Sequence, residues 1–158
     1  MNNYKFMSID ESSKKTGCAL FINGELIDYC LIDKSADKDS GHRLNEMCRD
    51  VLQKLKEWKP NYIVIEHPQG DGRNVLVVWM LSQIIGVARA YAIERGCVFE
   101  EVMPSEWRRM LGIQQGKKKR AELKQLSIDY VKEVYDKDVP EDVADAICIG
   151  SGVLKKYA

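Results

Sequence analysis

Tyr4-Lys5-Phe6-Met7-Ser8-Ile9-Asp10 opens the ordered pattern of this chain, and Gly17 to Ile22, Asn23-Gly24 and Leu26 to Ile32 follow it. The first run reads as a strand ending in an acid. The next two read as a hairpin. Asn-Gly between short apolar runs is a strong turn signal, because both residues tolerate the positive φ of a type I′ turn. Glu25 begins the return strand. An opening hairpin, followed by strands alternating with helices, predicts a mixed sheet.

Further along, Asp33 to Gly41 is polar and predicts a loop. From His42 to Trp58 the apolar residues Leu44, Met47, Cys48, Val51, Leu55 and Trp58 fall on one helical face. Pro60 stops that helix. Tyr62 to Glu66 is a short buried strand, and His67 to Arg73, with Pro68, Gly70 and Gly72, is a loop. Val75 to Arg95 is apolar on most sides and predicts a central buried helix closed by Gly96. Cys97 to Val102 is a fifth strand. Pro104-Ser105 starts a short helix with Ser105 as its N-cap. Gly112 to Gly116 is a break, Lys117 to Tyr135 an amphipathic helix, and Pro140 opens the last helix. The expected fold is α/β: a mixed five-stranded sheet with helices on both faces. At 158 residues, one domain over 1–158 is expected.

Composition narrows the classes. Hydrophobic residues make up 45% and charged residues 30%, ordinary for a globular protein. No apolar stretch is read as crossing a bilayer, since Ser82, Gln83, Gly86 and Arg89 interrupt Val75 to Ala92; no membrane partner and no signal peptide are expected. Five cysteines at wide spacing, without Cys-x-x-Cys, read as reduced core thiols of a cytoplasmic protein. Two histidines are too few for a His-rich metal site.

The formal net charge is zero, but it is unevenly spread. Pro104 to Lys132 carries eight basic residues against three acids, a net +5, and Glu133 to Gly150 carries six acids against one lysine, a net −5. A basic patch therefore precedes an acidic cluster.

Four acids stand out. Asp10 and Glu66 end apolar strands, and ligands of such sheets bind beyond strand ends. Asp142 and Asp145, three apart, share a face of the last helix. Read singly, Asp10 also fits a turn after a strand. Glu141 and Asp142 also fit first-turn acids favoured by the helix dipole. Neither alternative accounts for Asp145 deeper in an apolar stretch, or for Glu66 after three β-branched residues. A buried acid is costly unless a cation meets it, so four together favour a divalent metal and phosphate chemistry.

Ile9-Asp10 with Ser12, Ser13, Thr16 and Gly17, then Val64-Ile65-Glu66, then Asp142-Val-Ala-Asp145-Ala, resembles the RuvC-like branch of the RNase H superfamily, the Holliday junction resolvases. Pro104-Ser-Glu-Trp-Arg-Arg-Met-Leu-Gly112 and Gly116-Lys-Lys-Lys-Arg-Ala resemble its small phage-type members. The resemblance implies an RNase H-like fold and phosphodiester hydrolysis of branched DNA with two Mg²⁺ ions, Mn²⁺ substituting. Asp10 would bridge both ions, with Glu66 and Asp142 or Asp145 completing their shells. It implies a lysine near the scissile phosphate, for which Lys118 is the choice among neighbours. It also implies a homodimer through the Val75–Arg95 helix. Lys117, Lys118, Lys119 and Arg120, with Arg108 and Arg109, are the expected DNA contacts. The competing reading of that run is a solvated helix end. Ser12, Ser13 and Lys14 are further candidates for backbone phosphate, or simply the residues that lead into the hairpin. His67 is read either as an aid to the site or as incidental.

Two departures are visible. The loop after Glu66 lacks the aromatic wedge of the resembled resolvases, and Ser12 stands where they carry glycine. The alternatives are an RNase H-fold nuclease acting on RNA or RNA–DNA hybrids, and a non-catalytic DNA-binding or assembly subunit of the same fold. An actin-like ATPase is excluded by length.

Overall fold

The computed structural model describes residues 3–68, 74–113 and 118–157. Five strands and five helices follow one another as β1 (Lys5–Asp10), β2 (Lys15–Ile22), β3 (Glu25–Asp33), α1 (Ser40–Trp58), β4 (Tyr62–Glu66), α2 (Val75–Arg95), β5 (Val98–Val102), α3 (Pro104–Leu111), α4 (Arg120–Tyr135) and α5 (Glu141–Lys156). The sheet order is β3-β2-β1-β4-β5. The β1–β2 and β2–β3 pairs are antiparallel, whereas β1–β4 and β4–β5 are parallel. This is the expected mixed sheet. Asn23 (φ 53°) and Gly24 (φ 86°) turn the hairpin in the left-handed region that a type I′ turn requires.

Strand alternation sorts the core into two layers. Met7, Ile9, Ile63 and Ile65 face α1 and α2, packing with Leu44, Met47, Val51, Leu55, Ile84 and Ala88. Phe6, Tyr62 and Val64 face α3, α4 and α5, packing with Trp107, Val131, Val143 and Ile147. The register aligns Ile9 with Ile65. Asp10 shares the parity of Phe6 and Ser8, and Glu66 that of Tyr62 and Val64. Both acids therefore emerge on the α5 side, at adjacent strand ends.

The last helix lies very close to the sheet. The Ser8 hydroxyl donates to the Ala146 carbonyl at 2.6 Å. A Cβ on Gly17 would sit 2.0 Å from the Asp142 carbonyl oxygen. Gly17 is thus where β2 admits the first turn of α5, and Gly17 pairs in register with Asp10.

Several local expectations are corrected. Asp39 caps α1 by accepting from the His42 backbone N–H, so the helix starts at Ser40 inside the expected loop. Ser105 is not the N-cap of α3: Met103 holds that position without a side-chain bond, and Pro104 supplies the first turn. Helix α4 begins at Arg120 rather than Lys117, with Lys119 as N-cap. Pro140 is the N-cap of α5, just before the first turn.

The largest correction concerns α2, which is not central. Met80, Ile84, Ile85, Ala88, Tyr91 and Ala92 are buried, but Val75 is 73% exposed, Trp79 59% and Ile93 76%. By length and composition alone α2 is also long and apolar enough to cross a membrane, contrary to the reading of its interrupted sequence. Its packing accounts for part of that composition. One side is core against α1, and Arg89 stacks on Phe99 of β5 and pairs with Glu101 at 2.7 Å.

Candidate active site

Where β1, β4 and α5 meet, a cavity of about 440 Å³ opens. Asp10, Glu66, Asp142 and Asp145 all line it, as do Glu11, Ser12, Arg108, Arg120, Lys124 and Glu141. Four acids from three distant parts of the chain thus converge on one space. The helix supplies Asp142 and Asp145 one turn apart on the face turned to the strand ends.

Burial, reinforced by neighbouring acids, shows in their protonation. Burial raises the Asp10 carboxyl well above its ordinary value, and Glu66, Asp145, Glu11 and Asp142 push it further. Burial pushes Glu66 up to about 7; the Trp107 indole and the Arg108 guanidinium oppose this, and Asp145 reinforces it. Asp145 is pushed up to about 6 by burial, against the Ser127 hydroxyl and Arg108. Asp142 is raised by burial and by Glu141, with Lys124, Lys15 and Arg120 pulling it down.

The fit to a cation is set by this donor set. Oδ1 of Asp145 is buried without a hydrogen-bond partner. An orphaned carboxylate oxygen facing other acids is costly, and a divalent ion relieves both the desolvation and the repulsion. Among the described residues no group of three such side chains is drawn together closely enough to hold an ion as it stands. The acids share a cavity wall rather than a closed ligand set. Oxygen-only donors of this kind suit Mg²⁺ or Mn²⁺.

The site has an inner brace that the sequence reading did not single out. Trp107 is fully buried and its indole N–H donates to Glu66 Oε2 at 2.9 Å. Arg108 stacks on the same indole, 4.6 Å from its centroid, with Nε buried and unpartnered. Lys124, also unforeseen, pairs with Glu141 at 2.6 Å. Both Trp107 and Lys124 lie in amphipathic segments where core and solvated face are the default readings. Only the distances reveal their partners.

The basic candidates divide. Arg108 and Arg120 line the cavity, whereas Lys14, Arg109, Lys118 and Lys119 are exposed and are not among the lining residues. Lys117 lies outside the described residues, as do Gly70, Gly72 and Arg73 of the loop where a wedge was sought, and Gly116. Ser12 lines the cavity and also braces its own loop: its N–H donates to Thr16 Oγ1 at 3.1 Å, and the Thr16 hydroxyl donates to its carbonyl at 2.8 Å. Ser13 accepts from Arg43 at 3.5 Å. His67 is half exposed, with Nδ1 3.2 Å from Glu101.

Comparison with known proteins adds an independent line. A family model described as crossover junction endodeoxyribonuclease RuvC matches residues 6–151. No curated protein matches the chain. Among solved structures, that of T. thermophilus RuvC in complex with Holliday junction substrate superposes with a TM-score of 0.73 at 16% identity, covering 97% of this chain and 94% of that one. A second Thermus thermophilus RuvC structure gives 0.73 at 17% identity over 97% and 95%. The yeast mitochondrial Holliday junction resolvase Ydc2 gives 0.59 at 16% identity over 96% and 78%. At these identities the superpositions establish the fold, an RNase H-like one, and the family model carries the rest.

Proposed function

This chain belongs to the RuvC family of crossover junction endodeoxyribonucleases, and from that premise we propose that it resolves four-way DNA junctions at the acid-lined cavity. It is a hydrolase of phosphodiester bonds in DNA. One observation carries the assignment of the site: Asp10, Glu66, Asp142 and Asp145 line one cavity together with Arg108 and Arg120.

In this reading Asp10, Glu66, Asp142 and Asp145 hold two Mg²⁺ ions, with Mn²⁺ an effective substitute. Bound there, the ions would supply Lewis-acid charge that activates water and offsets charge growing on the phosphate and the leaving 3′ oxygen. The protein's own work is placement. Asp10 and Glu66 stand on rigid strand ends, and Trp107 fixes the Glu66 rotamer. Arg108 and Arg120 meet the phosphate, and Ser12 lies on the same wall. Lys14, Arg109, Lys117, Lys118 and Lys119 form the surrounding basic surface that steers the DNA backbone. No acid is used as a nucleophile.

The exposed apolar end of α2 supports a homodimer. Val75, Leu76, Val77 and Trp79 form an exposed apolar end on that helix. Contiguous exposed apolar side chains mark an interaction surface. Two copies related by a two-fold axis would match the symmetry of a four-way junction and place one cavity on each of two strands. The five free thiols fit a reducing, cytoplasmic setting.

The deciding experiment offers a synthetic four-way junction, a linear duplex and an RNA–DNA hybrid, each with Mg²⁺ or with EDTA. Paired nicks on the junction alone, in Mg²⁺ alone, are expected. Asp10→Asn binds the junction without cutting it. Equal cutting in EDTA, preference for the hybrid, or normal cutting by Asp10→Asn overturns the proposal.

A further inference from the structure

The residue after Asp10 is a fifth acid on the cavity wall. Glu11 directly follows the last residue of β1. It is only 7% exposed, yet it lines the acid cavity beside Pro68 and the α2 residues Val77 and Leu81. Its Oε2 is buried and has no hydrogen-bond partner. Its own backbone N–H meets the carboxylate, and the charged neighbours acting on it, Glu66 and Glu101, are both negative.

A structural role would need a partner. Glu101 already accepts from Arg89 at 2.7 Å and lies 3.2 Å from His67 Nδ1, so those two groups are engaged with Glu101. Among the described residues no cation pairs with Glu11. Holding a carboxylate in that position without compensation is strongly unfavourable. In the same cavity, Asp145 Oδ1 is also buried without a hydrogen-bond partner.

We propose that Glu11 is a fifth carboxylate of the metal site, binding a divalent cation from the α2 side together with Glu66. The inference rests on the reading of the cavity as a metal-dependent nuclease centre. It gives the buried, unpartnered oxygen a function: a cation satisfies Glu11 and Glu66 at once and screens their repulsion. It also makes the site richer in charge than the four acids legible by spacing, which favours tight binding of a hard dication.

The test is Mn²⁺ binding to the full-length, DNA-free protein, followed by electron paramagnetic resonance of the free ion and by calorimetry. Wild type, Glu11→Gln, Glu11→Ala and Asp10→Asn are compared, with melting curves in EDTA and in Mn²⁺. Glu11→Gln is expected to weaken Mn²⁺ binding by about 10-fold or more, the scale on which metal sites respond to lost supporting groups. It is also expected to gain less melting temperature from Mn²⁺ than wild type does. If Glu11→Gln and Glu11→Ala bind Mn²⁺ like wild type while Asp10→Asn does not, Glu11 is no ligand and the cavity reading survives. If Asp10→Asn also binds normally, the cavity reading fails too. If both Glu11 variants melt below wild type in EDTA, Glu11 is a structural brace and the assignment is overturned.

Discussion

The carbonyl oxygen of Asp142 lies 2.0 Å from where a Cβ on Gly17 would stand. Gly17 pairs with Asp10 across the β1–β2 ladder, so one small residue brings the first turn of α5 within reach of the strand-end acid. No side chain fits there without moving the helix backbone.

Gly17→Ala is therefore expected to separate Asp142 and Asp145 from Asp10 and Glu66. Overpacking against backbone costs roughly 1–3 kcal/mol where neighbours can yield, and here the neighbour is a helix backbone. Urea denaturation should show a loss at the top of that range, and cleavage should fall further than stability alone explains. A variant with wild-type stability and rate would show that α5 shifts freely.

Trp107→Phe removes the donor to Glu66 Oε2 while keeping an aromatic in the buried slot. A supporting hydrogen bond to a metal ligand is worth about 10–100-fold in metal affinity. The Mg²⁺ concentration for half-maximal cleavage is expected to rise by that factor, with the rate recovering at saturating Mg²⁺. An unchanged Mg²⁺ requirement would leave Trp107 as core only.

The acids also set a pH dependence. Glu66 rises from an ordinary 4.5 to about 7, and Asp145 from 3.8 to about 6, with burial the main cause in both. Groups that bind protons more tightly when folded stabilise the protein below their unfolded pKa, and that contribution is lost as pH rises through the folded pKa. In EDTA the melting temperature should fall between about pH 4 and pH 7. Above that range Mg²⁺ should restore it, since an ion bound only by the folded state stabilises that state. A melting temperature that climbs across this range in EDTA would contradict the burial of these two acids.

Trp79→Glu places a charge in the exposed apolar end of α2 without touching the cavity. Light scattering after size exclusion is expected to show a dimer for wild type and a monomer for the variant. Junction cleavage should pass from paired to single nicks. A variant that remains dimeric would move the interface elsewhere.

Much of this protein was determined by sequence alone. The Asn23-Gly24 turn, the apolar run of β1 and the one-face helical spacing of α1 predict their elements because each signal is local. The four acids were legible because strand-end and i, i+3 positions declare which way a side chain points. Local rules also misled: α2 reads as central because composition counts apolar residues without knowing how many neighbours cover them. Tertiary structure alone decided the rest. Pairing of β1 with β4 placed Asp10 beside Glu66, and the close approach at Gly17 brought in α5. The Trp107 hydrogen bond to Glu66, the split of Arg108 and Arg120 from Lys118 and Lys119, and the unpartnered oxygen of Glu11 all depend on contacts between residues distant in sequence. Spacing along a chain fixes the direction of a side chain relative to its own element, and only packing fixes what it meets.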